Sequence, residues 1–569
     1  MRFLLILSLV VPQIVFGQTT FKDATLQLAP FTVVSAESWG SGVSAEDYDG
    51  DGDIDFILSS SVNSNPILYI NKSNHDGEVN PLEFEKVFFD FTFHTRAAVW
   101  FDYDGDHRLD LLFAGDCLSV GAECDQTLAL FQQQADGSLI DVTEMVGLAA
   151  GSYPEPVPMS GVSVGDLNED GYLDVLIPYF GEFGLYLENQ KNGRFKKIFN
   201  NFDRIDSKGW TPIIYDLDRD GWNDYYQAMD FGFPNQFWKH SGDLDFIESA
   251  NMFNLDSKSD DMGITLGDYD KDGNLDIYIS NIENEVKGNF LLRHEGDFIF
   301  SDRALECGVQ NGGWGWGVTF MDGNNDGLLD IAATNGFNYG FDQSKYWLND
   351  GDGNFMDVSL EVAFNDTLMA TALISLDIDR DGDLDLIQTI NTRWHSNGFR
   401  ILKNELEHGS DKNYLVVQPR MEGPNHWAIG SLVRIVTQNG DQIRPITAGI
   451  SYFGQEPAEA FFGLGDLENI DRIEVEWPGG AMSVIENVSA NQVIVVNDND
   501  ALHPPRNLQV SITSESGFML NWDASSTTET SYIIEKSTFA DFSDYEEWEI
   551  ASENTEYIDN EVSEGEIYY

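Results

Sequence analysis

The nonapeptide Asp268-Tyr-Asp-Lys-Asp-Gly-Asn-Leu-Asp276 carries carboxylates at positions 1, 3, 5 and 9 and glycine at position 6. The same spacing recurs six more times. Asp47, Asp49, Asp51 and Asp55 form the first copy, and Asp102, Asp104, Asp106 and Asp110 the second. The third has Asp166, Asn168, Asp170 and Asp174; the fourth has Asp216, Asp218, Asp220 and Asp224. The fifth is the one quoted, with Asp268, Asp270, Asp272 and Asp276. Asp322, Asn324, Asp326 and Asp330 make the sixth, and Asp377, Asp379, Asp381 and Asp385 the seventh. Successive copies start 50 to 64 residues apart, which is a repeat rather than chance.

The spacing suits a hard cation. Calcium takes about six to eight oxygens at about 2.3–2.6 Å. Short side chains at positions 1, 3 and 5 of a tight loop converge on one point, and glycine at position 6 permits the turn. Position 7 offers its backbone carbonyl: Asp53, Arg108, Tyr172, Trp222, Asn274, Leu328 and Asp383. An aspartate at position 9 closes the loop. Up to seven calcium ions are therefore expected. The second loop is the doubtful one, because His107 replaces the turn glycine. Asn168 and Asn324 are expected to weaken their loops modestly.

Strand-like runs flank each loop, such as Gly161-Val-Ser-Val-Gly165 before and Leu384-Asp-Leu-Ile387 after. The loops then join strands as β-hairpins. A unit of this length with several strands suits one blade of a propeller. The expected fold class is all-β: a seven-bladed β-propeller, then a small β domain and an incomplete β-sandwich.

Composition agrees. The 569 residues are 42% apolar and 13% aromatic, with 52 glycines. Net charge is −66, from 97 acidic and 31 basic residues. Such a surface repels nucleic acid and anionic membrane and attracts cations. Seven divalent ions would bring −66 to −52, so solvated acidic surface accounts for the remainder.

Residues 1–17 read as a signal peptide: Arg2, an apolar run Phe3 to Val10, and Val15-Phe-Gly17 before Gln18. No later stretch is long enough to span a membrane. Three cysteines exclude a disulfide scaffold. Cys117 and Cys124 are either joined locally or free, and Cys307 is expected as a buried thiol.

The repeats resemble the FG-GAP/VCBS repeats of integrin α-chain propellers and of cartilage acidic protein-like proteins, over residues 18–408. That resemblance implies seven blades with calcium in hairpin loops at one face, and an early strand completing the last blade. It also brings turns like Ile140-Asp-Val-Thr143 and Phe355-Met-Asp-Val358. Residues 409–500 are similar to the ASPIC/UnbV domain. The likeness rests on Lys412-Asn-Tyr-Leu415, Ile429-Gly430, Gly449, Phe462-Gly-Leu-Gly465, Val475-Glu-Trp-Pro-Gly-Gly480 and Asn491-Gln492. Ser431 stands where that family usually has alanine. Residues 503–569 resemble a fibronectin type III domain through Pro504-Pro-Arg-Asn-Leu508, Leu520-Asn-Trp522, Tyr532 to Ser537 and Tyr557-Ile-Asp559. The sequence ends inside the expected sixth strand, so a longer protein is expected.

Gly161-Val-Ser163-Val-Gly165 matches a hydrolase elbow, but here it is a strand entering a loop. Gly313-Trp-Gly-Trp-Gly317 lacks the βαβ setting of a nucleotide site. Its Trp314 and Trp316 fit either core packing or sugar stacking. The expected function is a secreted, calcium-binding, non-catalytic adhesion or binding protein that uses a propeller face. Its partner is an extracellular protein or polysaccharide, with no nucleic acid and no membrane span. The alternative is a calcium-dependent carbohydrate-active enzyme, a polysaccharide lyase or hydrolase, on the same scaffold.

Overall fold

The computed structural model describes residues 19–25, 40–59, 65–73, 82–90, 93–116, 127–148, 160–178, 184–199, 208–242, 246–282, 288–336, 342–390, 398–406, 412–501, 506–512, 517–523, 531–537, 545–551 and 556–559. Residues 1–17, Cys117 and Cys124 lie outside them. Cys307 is a buried free thiol.

Seven antiparallel sheets follow one another in chain order as the blades of a propeller. Blade 1 comprises Val43–Glu46, Asp55–Leu58, Ile67–Asn71 and Phe84–Phe88. Blade 2 comprises His94–Phe101, Asp110–Asp116, Leu128–Gln133 and Leu139–Asp141. Blades 3 to 6 repeat the plan, with innermost strands Ser163–Gly165, Gly209–Tyr215, Asp261–Gly267 and Gly315–Met321. Blade 7 takes Ala370–Leu376, Asp385–Ile390 and Phe399–Asn404 from the end of the repeat. Its fourth strand is Phe21–Asp23, which pairs with Phe399–Asn404 and closes the ring. Closure removes the exposed edges an open array would have.

The inner strands are buried on both faces, because each packs between two neighbouring blades. A recurring Gly-apolar-Ser/Thr triplet makes this possible. A Cβ on Gly42, Gly161, Gly263 or Gly317 would sit 2.2 to 2.6 Å from a neighbouring atom. The hydroxyls then tie blade to blade: Ser44 Oγ donates to Ala98 O (2.6 Å), and Ser163 Oγ accepts from Ile214 N (3.1 Å). Ser163 is 1% exposed and also donates to Ala448 O, so it is a structural hydroxyl.

The propeller is not alone in its compact unit, which spans 1–479 and 484–499. Past the last blade, Asn413–Arg420 lies between Ala460–Gly465 and Gln492–Asn497, and Leu432–Val436 between Gln442–Pro445 and Asn469–Glu476. Between these strands, residues 446–458 enter the propeller axis as a plug. The plug bonds to the inner strand of every blade. Gly454 and Gln455 pair in parallel with Val43 and Ser44 in blade 1. Gln455 exchanges two bonds with the Trp100 backbone of blade 2, and Val164 N of blade 3 donates to Ala448 O. Thr211 Oγ1 of blade 4 donates to Ser451 O, and Ser451 exchanges backbone bonds with Ile264 of blade 5. Glu456 Oε1 accepts from Thr319 of blade 6 and from Ser375 of blade 7. Tyr452 is fully buried between Trp210 and Trp316.

The second unit holds 480–483 and 500–569. Within it, Arg506–Ile512, Phe518–Asp523 and Glu556–Asp559 form one sheet, and Ser531–Ser537 pairs with Tyr545–Ala551. Trp522 is buried, and Lys536 bonds Asp559 at 3.0 Å.

Candidate metal centres

Each acidic nonapeptide is the loop between the first two strands of its blade. Position 9 is the first residue of strand two and pairs with the residue before position 1: Glu46 with Asp55, Tyr215 with Asp224, Leu376 with Asp385. The hydrogen bonds repeat from loop to loop. Position 1 accepts the N–H groups of positions 5 and 6, as Asp268 does from Asp272 (3.0 Å) and Gly273 (3.0 Å). Position 5 accepts the N–H of position 7, as Asp220 does from Trp222.

Position 9 is a structural anchor as well as a candidate ligand. In six loops its Oδ2 accepts the N–H of position 2, whereas Asp330 Oδ2 of loop 6 accepts the Tyr346 hydroxyl; its Oδ1 accepts a backbone N–H from strand three in all seven. All seven position-9 aspartates are at most 1% exposed. Burial pushes Asp55 and Asp224 up to about 8, and Asp110, Asp174, Asp276, Asp330 and Asp385 well above the carboxylate range. Burial disfavours their charged form, which a neighbouring cation would favour.

In loops 1, 2, 4, 5 and 7 the carboxylates of positions 1, 3 and 9 bring one oxygen each within 4.8 Å of one another. Two oxygens on opposite sides of a calcium ion stand about 4.6–5.2 Å apart. The Oδ1 atoms of Asp104, Asp218 and Asp270 at position 3 are buried with no hydrogen-bond donor, as a metal-ligating oxygen would be. The donor set is all oxygen, which matches a hard cation. Loops 3 and 6 have asparagine at position 3, Asn168 and Asn324, whose side-chain oxygens accept from Asp170 N and Asp326 N. The position-7 residues Asp53, Arg108, Tyr172, Trp222, Asn274, Leu328 and Asp383 donate their N–H inward to position 5.

Loop 2 has the same bonds as the others. His107 adopts φ +66° at position 6, where glycine stands in the other six, and its N–H still reaches Asp102 (2.7 Å). Its ring stacks on His426 at 4.4 Å.

Three features escaped the sequence. Position 4 is left-handed in every loop: Gly50, Gly105, Glu169, Arg219, Lys271, Asn325 and Arg380 have φ between +52° and +78°. Five of these are not glycine, and each such residue carries about 1 kcal/mol or more of strain. Second, in five blades an amide at the end of strand three stitches the loop to the preceding one. Asn71 donates to Ile378 O, Gln133 to Tyr48 O, Asn189 to Tyr103 O, Asn349 to Tyr269 O and Asn404 to Gly323 O, each acceptor being position 2 of the previous loop. Blades 4 and 5 have His240 and His294 there.

Third, a polar or basic side chain beside the stitch meets the position-3 carboxylate wherever that carboxylate exists. Lys72 bonds Asp49, Gln132 bonds Asp104, Lys239 bonds Asp218, Arg293 bonds Asp270 and Lys403 bonds Asp379. In loop 2 the cation is Arg108, on Asp106. In the asparagine loops the residue before the stitch is Glu188 or Leu348, not a base. A base at that strand position occurs in loops 4, 5 and 7, each with a charged position 3.

Trp316 is 2% exposed and packs on Tyr452, so it is core rather than a sugar platform. Trp314 is half-buried at the start of the same strand. No described helix is long and apolar enough to cross a membrane.

Comparison with known proteins agrees with these motifs. Residues 47–113 and 322–387 match the FG-GAP-like repeat, and residues 421–503 match the ASPIC and UnbV family. The chain therefore carries FG-GAP-like repeats and an ASPIC/UnbV domain. Among curated proteins it is similar to cartilage acidic protein 1 of Homo sapiens, 26% identical over 293 residues, 48% of this chain and 42% of that protein. The Xenopus tropicalis protein of that name is 25% identical over 315 residues, 51% of this chain and 45% of the other. The Mus musculus protein is 22% identical over 473 residues, covering 78% and 71%. The chain thus spans under half the length of the first two. Among solved structures, BBS1N in complex with ARL6DN superposes with TM-score 0.41 at 9% identity, over 68% of this chain and 97% of that one. The Dos1 propeller superposes with TM-score 0.36 at 9% identity, over 76% and 97%.

Proposed function

We propose that this chain is an exported, calcium-loaded binding protein with no catalytic role. The carrying observation is the seven-fold recurrence of one oxygen-lined loop, gathered within 4.8 Å in five blades. Positions 1, 3, 5 and 9 would supply side-chain oxygens and position 7 its carbonyl. Calcium would supply the charge that lets the buried position-9 carboxylates ionise. Export follows from residues 1–17 read as a signal peptide, and the named relatives support an extracellular setting. The second unit supports reading residues 503–569 as a fibronectin type III module that extends the protein.

The recognition surface would be the propeller face opposite the loops. The ASPIC/UnbV domain that follows the last blade, the second domain, belongs to the propeller's own compact unit and sits on the loop face: His426 stacks on His107, Glu476 pairs with Arg219 and Glu459 with Arg380. The axis is filled by the plug. A cavity of about 80 Å3 remains beside it, lined by Thr265, Ser375, Arg444 and Glu456 among others. It has room for a few waters but not for a sugar chain. The partner would be an extracellular protein or a polysaccharide, and Trp314 is the aromatic candidate at the open face.

The test is incubation of calcium-loaded protein with acidic and neutral polysaccharides, followed by product chromatography and a binding assay on the same samples. Binding without new products is expected. Depolymerisation that is lost on mutating a carboxylate outside the seven loops would replace this reading with a carbohydrate-active enzyme.

A further inference from the structure

We propose that calcium occupancy of loops 7 and 1 and seating of the second domain form one linked equilibrium, clasped by Arg380 and Glu459. The inference rests on the calcium reading above and adds a coupling to it.

The loop backbone divides its residues between two partners. Odd positions turn inward to the ion site. Position 4, left-handed throughout, turns its side chain outward to what lies beside the loop. At the seam between blades 7 and 1 that side chain is Arg380, at φ +54°. Its Nε donates to Gly52 O of loop 1 (3.0 Å). Its two terminal nitrogens meet both oxygens of Glu459 in the second domain, at 2.6 and 3.1 Å. The pair is 12% and 8% exposed. One seam back, Asn325 repeats the device: its Nδ2 donates to Gly382 O of loop 7 (2.8 Å), and its carbonyl accepts Gly465 N of the second domain (2.7 Å).

Electrostatics gives the linkage its sign. The Arg380 charge faces Asp377 and Asp47, position 1 of loops 7 and 1. An unpaired guanidinium there would repel a divalent ion. Glu459 cancels that charge: burial acts to raise its pKa, yet Arg380 holds it below the ordinary glutamate value. Glu459 therefore supports calcium in two loops without ligating it. By reciprocity, ions that fix the odd residues present Arg380 and Gly52 O in the geometry the second domain needs.

The test has two arms on the full chain. In calcium titration by calorimetry, Glu459→Gln should weaken two sites about tenfold and leave the others as in wild type. In hydrogen exchange on wild type, chelation should raise exchange at the plug amides, residues 446–456, along with those of loops 7 and 1. An unchanged titration in Glu459→Gln overturns the linkage, as do plug amides that stay protected in chelator. The exchange arm decides alone should the variant not fold. No calcium uptake by wild type would overturn the calcium reading itself, and is seen before any variant is made.

Discussion

Loop 4, Asp-Leu-Asp-Arg-Asp-Gly-Trp-Asn-Asp, and loop 7, Asp-Ile-Asp-Arg-Asp-Gly-Asp-Leu-Asp, are nearly the same sequence in different surroundings. Both have arginine at position 4 and a strand-three lysine on position 3, Lys239 and Lys403. In loop 7 the position 1, 3 and 9 carboxylates are all buried, whereas in loop 4 only position 9 is. Arg380 is 12% exposed and fixed at both ends; Arg219 is 43% exposed and meets Glu476 at the surface. One motif therefore meets the same domain in two ways. In loop 4 the arginine meets it through a solvent-exposed pair, and in loop 7 through a buried one.

The largest expected contrast lies at position 4. Breaking a buried, bidentate pair costs about 3–5 kcal/mol, and losing an exposed one under about 1 kcal/mol. Arg380→Ala should therefore lower stability in denaturant unfolding far more than Arg219→Ala. Equal losses would mean that the clasp between loop 7 and the second domain contributes nothing.

Next comes position 1. Asp377→Ala strands the N–H groups of Asp381 and Gly382 inside the interface, at about 3 kcal/mol. Asp216→Ala leaves its N–H groups to water, at about 1 kcal/mol. Thermal unfolding of the two variants at fixed calcium should rank them in that order.

pH sharpens what the loops share. Burial raises Asp55 and Asp224 to about 8, against about 3.9 in the unfolded chain. In calcium-depleted protein, proton binding therefore favours the fold: the contribution is full below about pH 4 and is lost as pH rises through 8. Calcium needs the ionised form. The rise in Tm on adding calcium should be small at pH 5 and large at pH 8. An equal rise at both would show that these carboxyls ionise without a cation.

The smallest contrast tests charge matching. Asn168→Asp gives loop 3 a fourth carboxylate when Lys191 already pairs with Asp170, and Lys239→Met leaves the position-3 carboxylate of loop 4 without its base. Both should tighten calcium a few-fold and lower metal-free stability by about 1 kcal/mol. Unchanged affinity in both would mean the match of position 3 to strand three is incidental.

What the sequence showed and hid follows the same division. The loops were legible because their partners are local: positions 1, 5 and 6 bond one another within six residues. Ring closure by Phe21–Asp23 was legible only through the family resemblance, since its partner strand, Phe399–Asn404, lies far along the chain. Position 4 hid its left-handed backbone because five of its seven residues are not glycine. The stitch did leave a trace, an Asn or Gln closing five of the third strands (Asn71, Gln133, Asn189, Asn349, Asn404). The plug left none. Its partners are mostly backbone groups, which write nothing in sequence, joined by the hydroxyls of Thr211, Thr319 and Ser375. Sequence left Trp316 open between core packing and sugar stacking for a related reason: Tyr452, which covers it, arrives from beyond the repeats.

The central claim is that calcium holds this fold, and differential scanning calorimetry with and without chelator tests it most directly. At tenfold saturation each site adds about 1.4 kcal/mol, and seven add about 10 kcal/mol, comparable with a domain's whole stability. Chelation should lower Tm by on the order of 10 °C or more at pH 8, and added calcium should restore it. The same Tm in chelator and in calcium would contradict it.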